Sequence, residues 1–229
     1  MRIEVLSDID AVAKRAASFI AEEANKAVAS RGRFLLAVSG GKTPWIMLRA
    51  LGAEKMPWEN VHIVQVDERI APVGHTDRNL THLREALLES APLRSDQLHT
   101  MPVEAPDLDA AAARYAELLA KIAGVPPVLD LVHLGLGTDG HTASLLPDDP
   151  VLNVTDADVA VTGVYQGRRR MTLTYPILNR ARRILWLVIG SDKAGSLVRL
   201  RNGDASIPAG RVRQDGALIL ADRAAAAEQ

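Results

Sequence analysis

Four short apolar runs, each followed by a longer amphipathic stretch, constrain the fold of this chain more than any other feature. Almost no polar side chain interrupts these runs, which is typical of strands buried on both faces of a parallel sheet. The runs are Phe34–Val38, Val61–Val66, Leu129–Leu136 and Ile184–Gly190. A fifth run, Met171–Tyr175, alternates apolar and polar residues and predicts a strand with one wetter face.

The stretches between these runs carry apolar residues at helical spacing. The predicted helices are Asp8–Ser30, Pro44–Leu51, Asn79–Glu89, Leu108–Ala123 and Asp192–Arg201. Strands that alternate with helices predict an α/β fold, a doubly wound, mostly parallel sheet with helices on both faces. No repeat, linker or break in composition divides the chain, so we expect one domain over residues 1–229, with a frayed helix end at 222–229.

The balance of charges argues against two classes of partner. Lys and Arg number 27 against 28 Asp and Glu, so the formal net charge is −1 and no overall field favours nucleic acid or an anionic membrane. No run of about 18 uncharged apolar residues predicts a membrane span. The chain has no cysteine, which excludes disulfides and thiolate metal sites and favours a reducing compartment. No His, Asp and Glu grouping has metal-ligand spacing, so we expect no metal.

Polar and glycine-rich segments follow all four apolar runs. Open α/β sheets bind ligands at the carboxyl ends of their strands, so these segments are where a site is expected. They read SGGKTP, DER, GLGTDGHTAS and GSDKA in chain order. We therefore expect them to converge on one edge of the sheet.

The segment SGGKTP is similar to the end of a nucleotide-binding P-loop, but the full pattern requires a glycine where this chain has Leu36. A simpler interpretation is a phosphate site. Gly40 and Gly41 expose backbone N–H groups, Ser39 and Thr43 add hydroxyls, and a helix N-terminus follows at once. The alternative is a tight strand-to-helix turn whose glycines serve only the backbone.

The segment GLGTDG, at 135–140, matches the glycine spacing of a dinucleotide-binding loop. Such a loop must open a helix of some length, and Pro147 and Pro150 would stop one here. What remains is His141, which follows the glycine turn and lies two residues after Asp139. A neutral imidazole takes up a proton near neutral pH, so His141 is a candidate general base. The alternative is a loop histidine that only makes structural hydrogen bonds.

Two charged clusters remain. Asp67, Glu68 and Arg69 stand at a strand end, either as a network that faces a ligand or as a solvated loop. Arg168–Arg170 precede the fifth strand, and one of them is a candidate anion ligand, whereas aromatic residues are too scarce for nucleic-acid stacking. Lys193 begins a helix, where the dipole disfavours a cation unless an anion is bound beside it.

Taken together, these motifs resemble those of the 6-phosphogluconolactonases, within a wider group that includes the glucosamine-6-phosphate deaminases. The resemblance runs in order through SGGKTP, VDER with HTDRN, LGLGTDGHTASLLP, RMTLTYPILNRA, WLVIGSDKA and IPAGRV. It spans Ser39 to about Val212. It implies a Rossmann-like fold, a cytoplasmic enzyme without a cofactor, and hydrolysis of 6-phospho-D-glucono-1,5-lactone in the oxidative pentose phosphate pathway.

The resemblance also implies roles for single residues. The catalytic histidine of the family falls on His141, and the strand-end arginine falls on Arg69, which we expect to stabilise the oxyanion. Asp139 is expected to orient His141, and Asp67 is expected to orient Arg69. The phosphate-binding residues fall on Ser39, Gly40, Gly41, Thr43, Arg170 and Lys193.

Two alternatives stay open at this point. A deaminase or isomerase of the same wider group could use Asp67 as a base, but its pattern DGHIAFNEP has a carboxylate before the proline where this chain reads DGHTASLLP. A non-catalytic sugar-phosphate sensor would need an effector module, and no helix-turn-helix pattern is present. Arg78 departs from the resemblance, since the family commonly has a small polar residue there. A monomer is slightly favoured.

Overall fold

The computed structural model describes residues 1–227, which form ten strands and six α-helices. The strands are β1 Arg2–Leu6, β2 Phe34–Val38, β3 Val61–Gln65, β4 Asp67–Arg69, β5 Leu98–His99, β6 Leu131–Gly135, β7 Val159–Val161, β8 Arg170–Leu173, β9 Arg183–Val188 and β10 Ala217–Asp222. The helices are α1 Ile9–Arg31, α2 Lys42–Gly52, α3 Asn79–Leu83, α4 Leu108–Ala123, α5 Tyr175–Arg180 and α6 Ala194–Arg201. A wider π-helical turn over Arg84–Leu88 continues α3.

Seven strands form one sheet in the order β1-β10-β9-β6-β2-β3-β5, and every neighbouring pair is parallel. The four apolar runs of the sequence are its four central strands, which confirms the predicted α/β fold. The strand order reverses between β2 and β6, because the chain extends the sheet one way after β2 and the other way after β6. Crevices at such a switch point are where open α/β sheets bind ligands.

Helices cover both faces of this sheet, as predicted. On one face α1 and α2 pack together, and residues such as Ile20 and Leu48 share a core with Leu36 of β2. On the other face α4, α5 and α6 contribute to a second core that includes Leu119, Leu178 and Trp186. Both faces of the central strands are therefore buried, which is why apolar and polar residues do not alternate in their sequences.

A second sheet, which only partly follows from the sequence, has the antiparallel order β4-β8-β7. The alternating run at 171–175 is its central strand β8. The charged segment Asp67–Arg69 is a strand in this sheet rather than a loop. Val66 joins the two sheets, since its N–H donates to Val38 and its carbonyl accepts from Leu173. This connection brings β4 and β8 to the carboxyl edge of the large sheet.

Three local predictions need correction. The helix predicted from Asp192 is a 3₁₀ turn over Ser191–Lys193 followed by α6, so Lys193 precedes the helix. Residues 223–227 form turns rather than a frayed helix, and the last two residues of that prediction, 228 and 229, lie outside the described residues. Strands β1, β5 and β10 were not predicted. Within residues 1–227, no helix is both long and apolar enough to cross a membrane.

Candidate active site

A cavity of about 170 Å³ opens at the switch point, at the carboxyl ends of the central strands. Three of the four polar segments that follow apolar runs contribute to its wall, and β8 adds a fourth side. The wall consists of Ser39, Gly40, Asp67, Arg69, Asn79, Gly135, Leu136, Gly137, His141, Ala143 and Arg170. The predicted convergence on one sheet edge is therefore what the structure shows for these segments.

A short hydrogen bond links the candidate base to its neighbouring carboxylate. The distance between His141 Nδ1 and Asp139 Oδ1 is 2.6 Å, and the backbone N–H of His141 donates to the same oxygen at 3.1 Å. A carboxylate partner assigns the ring proton to Nδ1, so Nε2 is the nitrogen that can take up a proton. This is the pairing predicted for Asp139 and His141.

Two glycines make this local geometry possible. A Cβ on Gly137 would overlap with both the His141 ring and the Asp139 carboxylate, so only glycine lets the pair sit against the backbone. Gly140 has φ +82°, in the left-handed region that favours glycine. The loop closes through Gly137, whose N–H donates to the His141 carbonyl at 2.8 Å. The glycines that resemble a dinucleotide motif thus position a histidine.

The environment keeps Asp139 ionised. Partial burial acts to raise its pKa, but the hydrogen bonds and the charge of His141 outweigh burial, so the pKa lies below its usual range. A carboxylate with a lowered pKa contributes stability above its ordinary pKa and loses that contribution as the pH falls through the folded value. At neutral pH Asp139 therefore remains an anion that can hold the imidazole in one tautomer.

Two arginines face the cavity from adjacent strands. Arg69 of β4 pairs directly with Arg170 of β8 in the antiparallel register. Like charges in such a pair are destabilising on their own. Neither Nε atom has a hydrogen-bond partner among the described residues, although both are buried. Buried donors of this kind call for an acceptor, so the pair is suited to an anionic group.

The charge on Arg170 is partly compensated within the protein. Burial lowers the pKa of Arg170, and the Arg69 charge acts in the same direction, while the Asp67 carboxylate opposes both. The structure thus places Asp67 so that it acts on Arg170. No hydrogen bond between Asp67 and Arg69 is present among the described residues. The predicted orienting role of Asp67 toward Arg69 is therefore not a direct one.

Asn79 is the residue that connects them, and sequence reasoning gave it no role. Its Nδ2 donates to the Asp67 carbonyl at 3.0 Å and lies 3.3 Å from Asp67 Oδ1, while its Oδ1 accepts from Arg69 Nη1 at 2.8 Å. Ser144 completes the arrangement, since its hydroxyl donates to Asp67 Oδ2 at 2.6 Å. Asn79 ends the motif HTDRN, and Ser144 lies in the motif DGHTAS. Both motifs belong to the resemblance described above, and this membership could have indicated a role for the two residues in the site.

Glu68 supports this group from behind the cavity wall. The carboxylate is fully buried and accepts from the backbone N–H groups of Arg69, Asn79 and Leu80, each at 2.8 Å. It thereby satisfies the first free N–H groups of α3, as a helix N-terminus requires. The guanidinium of Arg78 lies 3.1 Å from the same carboxylate. Glu68 is thus a buried carboxylate, paired with Arg78, that fixes the backbone of two residues in the cavity wall, Arg69 and Asn79.

The predicted phosphate segment contributes Ser39 and Gly40 to the cavity wall, and Gly40 packs directly against Asn79. Ser39 is buried, its hydroxyl donates to the His133 carbonyl at 3.0 Å, and its N–H donates to His133 Nδ1 at 3.3 Å. The Ser39 hydroxyl therefore serves the fold and is not a free donor. Gly40 lines the cavity directly before α2, whose N-terminus has no side-chain cap. The free N–H groups of that helix terminus are suited to an anion.

Other predicted ligands lie outside the cavity wall. Gly41 and Thr43 follow Gly40 at the start of α2, and Lys193 lies beyond β9 with its Nζ 3.4 Å from Asp192. Among the three consecutive arginines, only Arg170 lines this cavity. Arg168 lines a neighbouring cavity of about 220 Å³, which also includes Arg69 and Arg170.

Gly40→Ala tests how closely Gly40 and Asn79 are packed in the cavity wall. A Cβ at this position would overlap with the Asn79 carboxamide oxygen, which holds Arg69. We expect kcat/KM to fall by about 10²-fold, as a misplacement near 1 Å does elsewhere. Gly195→Ala in α6 is the matched control, because its Cβ would meet no heavy atom within 4 Å. Equal kinetics in the two variants would contradict the fit.

Among residues 1–227, no group of three or more His, Asp and Glu side chains is arranged to hold a metal ion. What the cavity does bring together is a histidine hydrogen-bonded to a carboxylate, two arginines whose Nε atoms are buried, and the segment directly before a helix N-terminus. These features, at the switch point of a doubly wound sheet, are those of an α/β enzyme whose cavity is suited to an anionic substrate.

The chain belongs to the glucosamine-6-phosphate isomerase/6-phosphogluconolactonase family, whose model matches residues 7–220. It is 37% identical over 225 residues to a 6-phosphogluconolactonase of Synechocystis sp., covering 95% of this chain and 93% of the relative. A crystal structure of 6-phosphogluconolactonase from Thermotoga maritima superposes with a TM-score of 0.85 at 26% identity, covering 96% and 98% of the two chains. A monomeric glucosamine-6-phosphate deaminase shares the fold, with a TM-score of 0.87, 18% identity and full coverage of both chains.

Proposed function

We propose that this chain is a 6-phosphogluconolactonase, which hydrolyses 6-phospho-D-glucono-1,5-lactone to 6-phospho-D-gluconate in the oxidative pentose phosphate pathway. The observation that carries the proposal is one cavity that joins a His–Asp pair to two arginines with unpartnered donors. A lactone phosphate has the two matching parts. Its ester carbonyl can be attacked by a water molecule that the histidine deprotonates, and its phosphate dianion can bind to the arginines. The chain works as one cytoplasmic domain, as a monomer, and without a cofactor.

The phosphate is held at the far end of the substrate. Gly40 and the N-terminus of α2 supply backbone N–H groups, with Gly41 as the N-cap residue and Thr43 in the first turn. Arg170 adds charge-assisted hydrogen bonds, and Lys193 reaches the phosphate from its position beyond β9. Two or three such contacts contribute several kcal/mol, at roughly 1.5–3 kcal/mol each. They fix the position of the sugar relative to the base.

His141 carries out the proton transfers. Its Nε2 accepts a proton from water as the water oxygen attacks the lactone carbonyl carbon, and Asp139 stabilises the imidazolium that forms. Arg69 stabilises the negative charge that develops on the carbonyl oxygen. The tetrahedral intermediate then collapses with cleavage of the bond between carbon and ring oxygen. The proton on Nε2 passes to that ring oxygen, which leaves the open-chain acid.

A feature of the His141 loop favours this function over deamination. The deaminase pattern has a carboxylate immediately before the proline of this segment. Here the residue before Pro147 is Leu146, which is apolar and buried. The cavity therefore lacks, within the described residues, the counterpart of that acidic group.

The test generates the lactone in place with a glucose-6-phosphate dehydrogenase. Its decay is followed with and without this protein, since the lactone also opens spontaneously. We expect the protein to accelerate decay well above that background. No acceleration, with ammonia released from glucosamine 6-phosphate instead, would establish the deaminase. Binding of 6-phosphogluconate without acceleration of either reaction would establish a sensor.

A further inference from the structure

A tight hairpin at 165–168 stands at the edge of the cavity, outside the residues that line it. Tyr165 and Arg168 pair in both directions, with N–H to carbonyl distances of 2.9 and 3.2 Å. The two residues between them have positive φ, +52° at Gln166 and +78° at Gly167. Two consecutive left-handed residues are typical of the type I′ turn, the tightest connection between antiparallel strands. The position of Tyr165 is thus defined by backbone geometry.

The ring of Tyr165 contacts two of the functional side chains at once. Its centroid lies 6.1 Å from that of His141, with an interplanar angle of 63°, which is an edge-on arrangement. The guanidinium carbon of Arg170 lies 5.0 Å from the same ring centroid, within cation–π distance. Both contacts are defined by the ring, and the Tyr165 hydroxyl makes no hydrogen bond among the described residues.

Arg168 attaches the hairpin to the loop that precedes α3. Its Nε donates to Asp77 Oδ2 at 2.5 Å, and its Nη2 lies 3.3 Å from His75 Nε2. The carbonyl of Asp77 in turn accepts from Arg69 Nη1 at 3.0 Å. The hydrogen bond from Arg168 lowers the pKa of Asp77, so this ion pair persists at neutral pH. The turn is therefore anchored through Arg168 to the segment that also contacts Arg69.

Arg170 has few other restraints on its guanidinium. Its Nη2 is 3.4 Å from Gln166 of the same hairpin, and its Nε has no partner among the described residues. A long, charged side chain with so few hydrogen bonds needs packing to hold one rotamer. The Tyr165 ring supplies that packing. Without it, the guanidinium would lose order that substrate binding must then restore.

We propose that Tyr165 is a positioning residue that holds the His141 imidazole and the Arg170 guanidinium in register with one another. The proposal rests on the proposed lactonase function for its kinetic consequences. One ring thus couples the base to the cation that binds the anionic end of the substrate. Loss of the ring affects both binding and turnover, whereas loss of the hydroxyl affects neither.

Three variants of the full chain test this role. Tyr165→Phe keeps the ring, Tyr165→Leu removes it, and Val164→Ala is the control at a side chain that is 72% exposed beside it. For Tyr165→Leu we expect KM to rise about 5- to 30-fold through the lost cation–π contact. We expect kcat to fall about 2- to 10-fold through the lost edge contact with His141. We expect Tyr165→Phe and Val164→Ala to keep the wild-type values of KM and kcat.

Affinity for 6-phosphogluconate, measured by calorimetry, separates this proposal from the lactonase proposal. Tyr165→Leu is expected to bind it more weakly by the same factor as KM rises, with an unchanged melting temperature. If the wild-type protein fails to accelerate lactone decay, the lactonase proposal fails, and the affinities still decide the role of Tyr165. Equal affinity and kinetics in Tyr165→Leu and wild type would overturn that role. So would a Tyr165→Phe variant as impaired as Tyr165→Leu, or a wild-type protein that does not bind 6-phosphogluconate.

Discussion

Replacement of His141 with Asn is expected to lower kcat for the lactone by roughly 10²- to 10⁴-fold, the range that a general base contributes. Asn keeps a polar group next to Asp139, whose carboxylate lies 2.6 Å from the histidine ring, but it cannot take up the proton of the attacking water. The proposed phosphate contacts do not involve His141. We therefore expect the affinity for 6-phosphogluconate to change little while turnover collapses.

Kinetics on the enzymatically generated lactone, corrected for spontaneous opening, measure this effect. His82→Asn is the matched control, because His82 lies on α3 outside the cavity wall and makes its own hydrogen bonds to Thr76 and Glu85. It should retain wild-type turnover. A His141→Asn variant with near-normal kcat would remove the base from the mechanism and leave the arginines as the main source of catalysis.

Replacement of Arg78 with Met is expected to destabilise the protein by about 3–5 kcal/mol, the usual cost of leaving a buried charge without its partner. Arg78 is 2% exposed, and its guanidinium lies 3.1 Å from the fully buried Glu68 carboxylate. Burial acts to lower the pKa of Arg78, but Glu104 and Glu68 outweigh it and raise the pKa. Methionine fills most of the volume of the arginine side chain. The expected loss of stability therefore comes from the charge that is removed.

Chemical denaturation measures this loss as a shift in the free energy of unfolding. The melting temperature should fall by roughly 2–4 °C for each kcal/mol in a chain of this size. Glu104→Gln is the control, because it removes only the outer partner, whose side chain is 45% exposed. Such an exposed partner is expected to contribute about 1 kcal/mol or less. Comparable losses in the two variants would show that the Glu68 pair is not what Arg78 stabilises.

This pair also changes how Arg78 is understood. In the sequence, Arg78 departs from the pattern of the family, at a position that is not expected to contact the reacting groups. In the structure it neutralises the carboxylate that holds the backbone of Arg69 and Asn79. A local motif could not reveal this, because the burial of Arg78 depends on how the loop at 70–78 folds over β4.

The hydrogen-bonded pair of His141 and Asp139 was predictable because the interaction is local. Asp139 and His141 are two residues apart, and the glycines around them indicate a turn that brings their side chains together. The central strands were predictable for a similar reason, since dry strands need uninterrupted apolar sequence. By contrast, the second sheet was only partly predictable, because β4 is a three-residue strand made of charged residues.

The partners of the charged residues followed from register and not from sequence. The pairing of β4 with β8 sets Arg69 against Arg170, and the same register brings Asp67 near Arg170. Asn79 rather than Asp67 holds Arg69, and Ser39 uses its hydroxyl on His133. Each of these contacts joins residues from different elements.

The amino-acid sequence by itself determined the α/β class, the order of the central strands along the chain, and the identity of the His–Asp pair. These depend on periodicity and on neighbours within one turn, where the covalent chain fixes distances. The tertiary structure alone decided which arginine of three faces the cavity, which partners each charged side chain has, and that Tyr165 stands beside His141. Those contacts depend on the alignment of strands and loops that the chain brings together from far apart, and local sequence patterns do not encode that alignment.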